Sequence, residues 1–409
     1  MKDVINVAVI GLGCRGAAML ADNMCKMDDV NIIGLCDVYE DRVERSAEAV
    51  VSKGRKKPFC TLDYKEILSL PELDSVFIAT SWETHVEIAI DAMKSGVLPA
   101  VEVGGAASIE VCRELVDTYE KTGVPLMFME NCCYGENEMV VHNMVRKNLF
   151  GKIVACSGCY SHDLRDEIAY GTKNRHYRLK HYLAENRENY PTHELGPIAK
   201  LLDINRGNRF VSLYSLCSGS YGLTDYVARH EELHEELSGK EFAQADIVKT
   251  FLKTERGELV ELTLDTTLPQ HYTRGFTVRG TRGMYEENRD LLLVDGKEPN
   301  NSDGTHTEKL IAEKKYDKEY APEIWQNTTE DMLKAGHGGM DWFVLRAWIE
   351  CVKQGSLPPI DVYDAAVWMS VSALSEESLR TGKPVEFPDF TNGKYKNRTD
   401  SAEGTYEIK

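Results

Sequence analysis

The chain has 409 residues, of which 42% are hydrophobic, and its formal net charge at pH 7 is −18. A length of this order predicts two domains of about 150–200 residues, each able to bury a core of its own. The excess of acidic side chains argues against nucleic acid and anionic membranes as partners, because both would repel this protein. No run approaches the ~20 apolar residues that a membrane span requires.

The cysteines and the N-terminus indicate the compartment. Eleven cysteines are scattered singly, apart from Cys132 and Cys133, and no CxxC pair occurs. Thiols used in this way are typical of a reducing environment. The chain runs almost directly into an apolar strand and shows no signal peptide, so we expect a cytoplasmic protein.

The first thirty-seven residues carry the motif on which the prediction depends. A strand at 6–10 is followed by a glycine turn with Gly11, Gly13 and Gly16 and by a helix at 17–27. A second strand at 30–36 then ends at Asp37. Gly11 permits the tight turn, Gly13 lets the backbone approach a pyrophosphate, and Gly16 lets helix and strand pack closely. We therefore predict a dinucleotide-binding turn, with glycines that serve packing alone as the alternative.

Asp37 indicates which dinucleotide is bound. It lies twenty-one residues after Gly16, where a carboxylate accepts both ribose hydroxyls of an adenosine. A 2′-phosphate would meet this negative charge, which favours NAD over NADP. Arg15 and Arg42 stand nearby in the sequence and leave binding of a phosphate open.

The order of the predicted elements changes near residue 130. Before it, strands at 30–36, 75–80, 99–103 and 125–130 alternate with helices at 41–51, 86–95 and 109–121, which predicts a parallel Rossmann sheet. After it, one-sided strands at 153–160, 210–216, 246–254, 259–267 and 274–280 predict an open, mostly antiparallel sheet. We predict an α/β protein with domains 1–130 and 131–409, a polar loop at 300–307, and a helix at 362–381 that can pack back on the first domain.

Polar residues follow three of the predicted parallel strands. They are Ser81, Trp82 and His85 after one strand, Glu102 and Val103 after the next, and Glu130 and Asn131 after the last. The carboxyl ends of parallel strands meet at one edge of a sheet, where ligands bind. Each residue alone fits a helix cap or a solvated loop, but together they favour a cofactor pocket.

A second polar cluster is predicted in the second domain. Tyr190, Pro191, Thr192 and His193 precede a predicted helix, and an imidazole at a helix start suits a neutral base near pH 7. A structural, hydrogen-bonded His193 is the alternative. The roles of four other histidines are more ambiguous: His162, His176, His181 and His337. No HxH or HExxH spacing surrounds His193, so we predict no metal there.

Six short motifs are spread along the chain, at 130–135 (ENCCYG), 160–165 (YSHDLR), 177–178 (YR), 190–193 (YPTH), 265–267 (DTT) and 336–341 (GHGGMD). In these motifs and their spacing the chain resembles the Gfo/Idh/MocA oxidoreductase family and, within it, glycoside hydrolase family 109, the NAD-dependent α-N-acetylgalactosaminidase group. The resemblance covers nearly the whole chain.

The resemblance implies a role for each residue. The implied NAD contacts include Cys14, Arg15, Asp37, Ser81, Trp82, His85, Glu102, Val103 and Asn131. The implied sugar contacts are Glu130, Tyr160, Arg178, Tyr190, His193 and Tyr272, with Tyr160 and His193 catalytic. The implied reaction oxidises the sugar at C3, eliminates the aglycone, adds water and returns the hydride. Tyr160 would need a cation such as Arg178 to act near neutral pH.

The sequence also departs from the group. Glu194 replaces the usual glycine after the YPTH histidine, and Thr84 replaces an aromatic residue before His85. Gly104 and Gly105 follow Glu102-Val103, where a proline or small residue and alanine are usual. Val103 also stands where the wider family has the lysine on which its simple dehydrogenases often rely, and this favours the glycosidase group. Glu194 puts N-acetylgalactosamine specificity in doubt.

Three further expectations follow. A plain NAD-dependent sugar or cyclitol dehydrogenase, including one that forms 3-keto-glycosides, is the nearest alternative function. A non-catalytic NAD-binding sensor is the alternative of another class, although sensing NAD would require neither Tyr160 nor His193. The open sheet of the second domain predicts self-association as a dimer or tetramer.

Overall fold

The computed structural model describes residues 2–105, 108–296, 317–399 and 404–408. The chain forms two compact units. The first comprises Met1–Gly135, Glu323–Val367 and Thr399–Lys409, and the second comprises Glu136–Pro322 and Trp368–Arg398. The predicted domains were continuous in sequence, whereas the chain returns to the first unit after residue 322. The predicted loop at 300–307 lies outside the described residues.

The first unit contains a six-stranded parallel sheet. Its strands are β1 (Ile5–Ile10), β2 (Val30–Cys36), β3 (Phe59–Thr61), β4 (Ser75–Ile78), β5 (Leu98–Val101) and β6 (Met127–Phe128). Their order is β3-β2-β1-β4-β5-β6, so the two halves of the sheet meet between β1 and β4. This is the predicted Rossmann topology, in which ligands bind beyond the carboxyl ends of the strands.

Helices cover both faces of this sheet, as parallel strands require. They are Cys14–Ala18, Glu40–Ser52, Tyr64–Leu68, Trp82–Lys94, Ile109–Thr122, Glu323–Gln326, Glu330–Leu333 and Met340–Gln354. The predicted helix at 17–27 is wrong in its form. A short α-helix begins at Cys14, continues as a π-helical segment, Met19–Asn23, and ends as the 3-10 turn Met24–Lys26.

Helix Met340–Gln354 belongs to the first unit because its side chains complete that core. Trp348 is fully buried, its indole N–H donates to Ser75 Oγ over 2.8 Å, and its ring lies 6.1 Å from that of Phe77. On the same helix, Arg346 and Lys353 bind the carboxylate of Asp29 at 2.8 and 2.9 Å. Contacts between residues so distant in sequence explain why the first unit extends beyond residue 130.

The second unit is built on an eight-stranded sheet. Its strands are β7 (Ile153–Ser161), β8 (Phe210–Cys217), β9 (Ile247–Thr254), β10 (Leu259–Asp265), β11 (Thr277–Gly280), β12 (Gly283–Glu286), β13 (Leu291–Val294) and β14 (Val385–Glu386). Their order is β13-β12-β11-β7-β10-β9-β8-β14. Among the strands that the structure describes in this sheet, only β7 and β10 run parallel, so the predicted mostly antiparallel sheet is confirmed.

Helices of the second unit are Glu136–Arg146, Arg165–Ala169, Gly171–Asn174, Arg178–Ala184, Thr192–Leu201, Gly222–Ala228, His234–Leu237 and Asp317–Tyr320. The helix Val362–Thr381 has the predicted bounds and is divided between the units after Val367. Along β9 and β10, buried and half-buried residues alternate, so one face of this sheet is covered and the other is open.

Candidate active site

The glycine turn lies between β1 and helix Cys14–Ala18. Gly11 has φ +94°, and a Cβ there would lie 2.5 Å from the backbone of Ala79. A Cβ on Gly16 would lie 1.9 Å from the carbonyl oxygen of Gly11. Both positions therefore require glycine, as a dinucleotide-binding turn does. A Cβ on Gly13 would meet Arg42 Nη1 at 3.6 Å, an ordinary contact with the end of a flexible side chain, and Cys14 is exposed.

Asp37 follows β2 and is fixed by the same turn. Its carboxylate accepts hydrogen bonds from the backbone N–H groups of Leu12 at 2.7 Å and Tyr39 at 3.0 Å. Arg42 lies 3.8 Å from this carboxylate and stacks on the ring of Tyr39. The guanidinium that could have bound a 2′-phosphate thus already faces a carboxylate, which favours NAD.

A cluster of five side chains occupies the carboxyl edge of the first sheet. We call it the Asp341 cluster, and its members are Arg15, Glu102, Asn131, His337 and Asp341. Arg15 binds Glu102 at 2.7 Å through Nε and Asp341 at 2.7 and 3.0 Å through its two Nη atoms. The implied contacts Arg15, Glu102 and Asn131 are therefore brought together, but around an aspartate to which the sequence analysis gave no role.

His85 lies at the end of β4, in the first turn of helix Trp82–Lys94. Its Nε2 lies 2.6 Å from the carbonyl oxygen of Thr80, and burial lowers its pKa to about 4. The ring is therefore neutral at pH 7. Among the described residues its buried Nδ1 has no hydrogen-bond partner, so this nitrogen is available to a ligand.

The other predicted residues at this edge are also in place. Ser81 precedes helix Trp82–Lys94, and its hydroxyl lies 3.3 Å from that of Thr84. Val103 is buried directly after Glu102. A Cβ on Gly104 would lie 2.5 Å from the indole of Trp82. This contact gives a physical reason for the glycine that departs from the family pattern.

In the second unit the predicted sugar-binding aromatic residues form one cluster. The ring of Tyr160 lies 4.4 Å from that of Tyr190, 5.6 Å from that of His193 and 6.4 Å from that of Tyr272. Tyr160, Tyr190 and His193 are buried, and Tyr272 is 41% exposed. The cluster thus has a buried end that carries a phenol and an imidazole, and an exposed aromatic end.

Arg178 places a buried positive charge beside these rings. Its guanidinium lies 4.9 Å from the ring centre of Tyr190 and 2.7 Å from a carboxylate oxygen of Glu167. Glu130, the remaining predicted sugar contact, lies in the first unit. There its carboxylate accepts the backbone N–H of Cys132 at 3.0 Å.

The expected activation of Tyr160 by Arg178 is weaker than the sequence suggested. Burial raises the pKa of the Tyr160 phenol well above its usual range, and the charge of Arg178 counteracts this only in part. In the ground state Tyr160 is therefore a neutral phenol. Any role as a base requires another group to accept its proton.

His162 supplies such a group. Its Nδ1 lies 3.5 Å from the Tyr160 hydroxyl, and burial lowers the pKa of its imidazole below the ordinary value. A neutral imidazole can accept or return a proton when such a contact shortens to ~2.6–3.2 Å in the substrate complex. The available signal was the position of His162 two residues after Tyr160, because residues two apart along a strand point to the same face.

His193 stands in the first turn of helix Thr192–Leu201, as predicted. This helix packs on β7, where a Cβ on Gly158 would lie 2.6 Å from the Cβ of Glu194. Gly158 faces the same side of β7 as Tyr160, so the glycine admits Glu194 and sets the approach of His193 to Tyr160. Glu194 is buried and held between helix and strand.

Glu188 was not singled out from the sequence. Its side chain is fully buried, its backbone N–H donates to Ser375 Oγ over 2.8 Å, and burial raises the pKa of its carboxyl to about 8. A neutral carboxylic acid thus precedes Tyr190 by two residues. Polarity alone gave no sign of it, because glutamate is usually exposed.

One HExxH sequence does occur in the chain, at 230–234, far in sequence from His193. Its imidazoles bind main-chain carbonyls: His230 Nδ1 lies 2.7 Å from Tyr226 O, and His234 Nε2 lies 3.0 Å from Val227 O. The segment is a 3-10 turn followed by a four-residue helix, so the two rings do not share the face of one α-helix.

Comparison with known families decides the assignment. Residues 5–130 match the oxidoreductase family with an NAD-binding Rossmann fold, and residues 134–397 match the glycosyl hydrolase 109 C-terminal domain. The chain belongs to glycosyl hydrolase family 109. Residues 5–130 form an NAD-binding Rossmann domain, and the protein is an enzyme of the Gfo/Idh/MocA family.

Relatives within family 109 span nearly the whole chain. A glycosyl hydrolase family 109 protein of Stenotrophomonas maltophilia is 35% identical, over 96% of this chain and 90% of its own length. The α-N-acetylgalactosaminidase of Shewanella oneidensis is 35% identical, over 97% of this chain and 87% of its own length. The similarity to these two relatives therefore extends over both units of this chain.

Solved structures show the same fold. A levoglucosan dehydrogenase in complex with NADH and L-sorbose has a TM-score of 0.71 at 17% identity, over 95% of this chain and 100% of its own. A myo-inositol 2-dehydrogenase of Lactobacillus plantarum has a TM-score of 0.66 at 16% identity, over 94% of this chain and 100% of its own. Within the described part of the family 109 chain, no helix combines the length and apolarity needed to cross a membrane.

Proposed function

We propose that this family 109 enzyme is an NAD-dependent glycoside hydrolase that acts on an α-N-acetylgalactosaminide or a related glycoside. The observation that carries the proposal is the cluster of Tyr160, His162, Tyr190 and His193 beside Arg178, in a chain whose other unit binds NAD. A plain NAD sensor requires none of these side chains. The name of the Shewanella oneidensis relative supports the substrate class.

The residues that would hold the cofactor are those of the first unit. They are Gly11, Gly13, Cys14, Arg15 and Gly16 in the turn, Asp37 for the adenosine ribose, and Ser81, Trp82, His85, Glu102, Val103 and Asn131 at the later strand ends. When bound, NAD would supply a hydride acceptor and, once reduced, a hydride donor at C3 of the sugar, so the proposed reaction has no net oxidation. The mechanism of ordinary glycosidases, in which two carboxylates flank the scissile bond, therefore does not apply to this enzyme.

His193 is the proposed base for the hydroxyl at C3. Its imidazole is held in a helix start and against the rings of Tyr160 and Tyr190, at 5.6 and 4.9 Å between ring centres. A ring fixed in this way can accept the O3–H proton as the C3 ketone forms and give it back when C3 is reduced again. The ketone makes the proton on C2 acidic, which prepares the next step.

Tyr160 and His162 are the proposed pair for the proton on C2. Because the Tyr160 phenol is neutral, its proton passes to His162 as the phenol oxygen takes the proton from C2. The C2–H electrons form the C1–C2 double bond, and the C1–O bond breaks with its electrons on the leaving oxygen. The half-buried ring of His162 exchanges protons with solvent, so a solvent proton passes through the pair to C2 when water adds at C1. The proton that this water loses goes to the oxygen that left C1.

Arg178, Tyr190 and Tyr272 are the proposed binding residues. Arg178 is buried and ion-paired with Glu167, so it can stabilise negative charge on an enolate without moving. Tyr190 lies beside Tyr160 and offers a hydroxyl to the sugar. The exposed ring of Tyr272 is placed to contact an aglycone.

The proposed function is tested with p-nitrophenyl α- and β-glycosides, with and without added NAD⁺. Release of nitrophenol that requires bound NAD and leaves no net NADH supports hydrolysis. Stoichiometric NADH on a free sugar would instead select a dehydrogenase. Intact NAD binding without turnover on any glycoside would favour a sensor.

We also propose that the enzyme is a homo-oligomer through the open face of its second sheet. That face carries the half-exposed side chains Leu216 and Leu259 and, between them on β9, Phe251. Apolar groups on an open sheet are commonly covered by a second copy. Light scattering of the wild type and of Leu216→Glu checks this, and a wild-type monomer at micromolar concentration contradicts it.

A further inference from the structure

Asp341 is the centre of the Asp341 cluster. Its Oδ1 accepts hydrogen bonds from Arg15 at 3.0 Å and from Asn131 at 2.7 Å. Its Oδ2 accepts hydrogen bonds from Arg15 at 2.7 Å and from His337 at 2.8 Å. Each carboxylate oxygen therefore has two donors, and the side chain is 4% exposed.

The charge state of Asp341 is fixed by these partners. Burial alone would raise the pKa of its carboxyl, but the hydrogen bonds from His337 and Arg15 and the charge of Arg15 lower it well below its usual range. Asp341 is therefore ionised at any working pH. Arg15 in turn is shared between two carboxylates, those of Asp341 and Glu102.

The loop before Asp341 is shaped around this carboxylate. Gly336 has φ +101°, and a Cβ there would lie 2.4 Å from Asp341 Oδ2. His337, which donates to the same oxygen, has φ +45°, a conformation that costs free energy for any residue other than glycine. The strained backbone of His337 thus occurs at the residue whose imidazole binds Asp341.

The partners of Asp341 come from one half of the first sheet's ligand-binding edge. Glu102 follows β5 and Asn131 follows β6, whereas Asp37, which marks the adenosine half, follows β2. A dinucleotide crosses a Rossmann sheet from one half to the other, so the β4–β6 half receives the nicotinamide. Arg15, from the glycine turn between the halves, is held toward that second half.

We propose that Asp341 is a positioning residue of the cofactor site, which fixes Asn131, Arg15 and, through Arg15, Glu102 where the nicotinamide half of NAD binds. It acts through these residues rather than on the sugar. A site of this kind must be held within about 0.5 Å, and a carboxylate with four donors from three segments provides that constraint. The proposal depends on NAD binding but not on glycoside hydrolysis, so either can fail without the other.

The test compares Asp341→Asn with Asp29→Asn. Asp29 is a matched control, because its carboxylate also accepts three hydrogen bonds from basic side chains, at 2.8, 3.0 and 2.9 Å, and anchors the same helix Met340–Gln354. It has no bond to the glycine turn. Affinity for NAD⁺ is measured by isothermal titration calorimetry, and thermal stability by differential scanning fluorimetry.

We expect both variants to melt at lower temperature than the wild type. Asp341→Asn should bind NAD⁺ at least tenfold more weakly, whereas Asp29→Asn should stay within about twofold of the wild type. Equal NAD⁺ affinity in wild type and Asp341→Asn would overturn the proposal and leave Asp341 a purely structural anchor. A tenfold loss in Asp29→Asn as well would also overturn it, because the effect would then follow stability.

A second variant covers the case in which Asp341→Asn does not fold. Asp341→Glu keeps the charge that balances Arg15 but moves the carboxylate by about one carbon–carbon bond, which exceeds the tolerance of a positioned site. We expect a folded protein whose affinity for NAD⁺ is at least threefold lower. Unchanged affinity in Asp341→Glu would contradict a positioning role.

Discussion

The hydroxyl of Tyr160 lies 3.5 Å from Nδ1 of His162, and burial gives the two groups opposite pKa shifts. The pKa of the phenol is raised and that of the imidazole is lowered, so both are neutral at pH 7. A neutral pair can take up one proton, which converts His162 to an imidazolium, and can give a proton back from that state. This relationship replaces the tyrosinate that the sequence suggested.

Tyr160→Phe tests the phenol directly. The variant keeps the ring that packs against Tyr190 and His193 and loses only a long hydrogen bond, so stability should change by no more than about 1 kcal/mol. We expect kcat/KM for glycoside hydrolysis to fall about 10²–10⁴-fold, the range for loss of a general acid–base group. Affinity for NAD⁺ should not change.

The control for this variant is Tyr395→Phe. Tyr395 is also buried in the second unit, and its hydroxyl binds Glu255 at 2.8 Å, outside the aromatic cluster. Its activity should remain within about twofold of the wild type. Steady-state kinetics that show equal rates for Tyr160→Phe and Tyr395→Phe would exclude Tyr160 as a catalytic residue.

Gly158→Ala tests how His193 is positioned. The new Cβ would meet the Cβ of Glu194 at 2.6 Å and push helix Thr192–Leu201 away from β7. We expect kcat/KM to fall at least tenfold, because small displacements of a reacting group are costly. In a Glu194→Gly background the obstructing Cβ is absent. Adding Gly158→Ala to that background should therefore lower kcat/KM much less than it does in the wild type. An equal fall of kcat/KM in both backgrounds would refute this packing explanation.

Asp37→Asn tests the preference for NAD. The variant removes the negative charge that faces Arg42 and that would repel a 2′-phosphate. We expect the ratio of the NADP⁺ and NAD⁺ dissociation constants, measured by calorimetry, to change at least tenfold in favour of NADP⁺. A preference that stays as in the wild type would show that Asp37 does not select the cofactor.

Asp29 gives a stability prediction with a defined sign. Burial would raise the pKa of its carboxyl, but hydrogen bonds from Arg346 and Lys353 lower it to about 2. The pKa in the unfolded chain is ~3.9, so the ionised group contributes at most about 2.6 kcal/mol of stability above that pH, and screening by solvent reduces this contribution. The contribution is lost as the pH falls through 2.

Urea unfolding of wild type and Asp29→Asn between pH 7 and pH 2 checks this sign. The difference in unfolding free energy should be constant down to about pH 4 and should halve near pH ~3. A difference that does not change across that range would mean that the Asp29 ion pairs contribute nothing through charge.

The sequence predicted the parts of the fold that have local signals. The glycine turn, Asp37 and the polar strand ends follow from rules of the βαβ unit, and the alternation along β9 and β10 follows from a half-covered sheet. Strands β12 and β13 were missed because each has four residues and little periodicity. The π-helical segment Met19–Asn23 could not be predicted, because its residues also fit an ordinary helix.

Site residues that belong to a local sequence motif could be predicted. Residues that reach the site only through contacts distant in sequence could not. Tyr160, Tyr190 and His193 come together as the family resemblance implies. Asp341 was missed because its partner Arg15 stands 326 residues earlier in the chain. The pKa of Tyr160 was also misjudged, because burial, which only the folded structure gives, outweighs the charge of Arg178.

The most direct test of the elimination mechanism follows the hydrogen on C2 of the sugar. A p-nitrophenyl glycoside deuterated at C2 is hydrolysed by the NAD-loaded enzyme, and the released sugar is analysed by mass spectrometry. We expect solvent hydrogen to replace the deuterium while no NADH accumulates. A product that keeps its deuterium at C2 would contradict the proposed elimination and, with it, the roles of Tyr160 and His162.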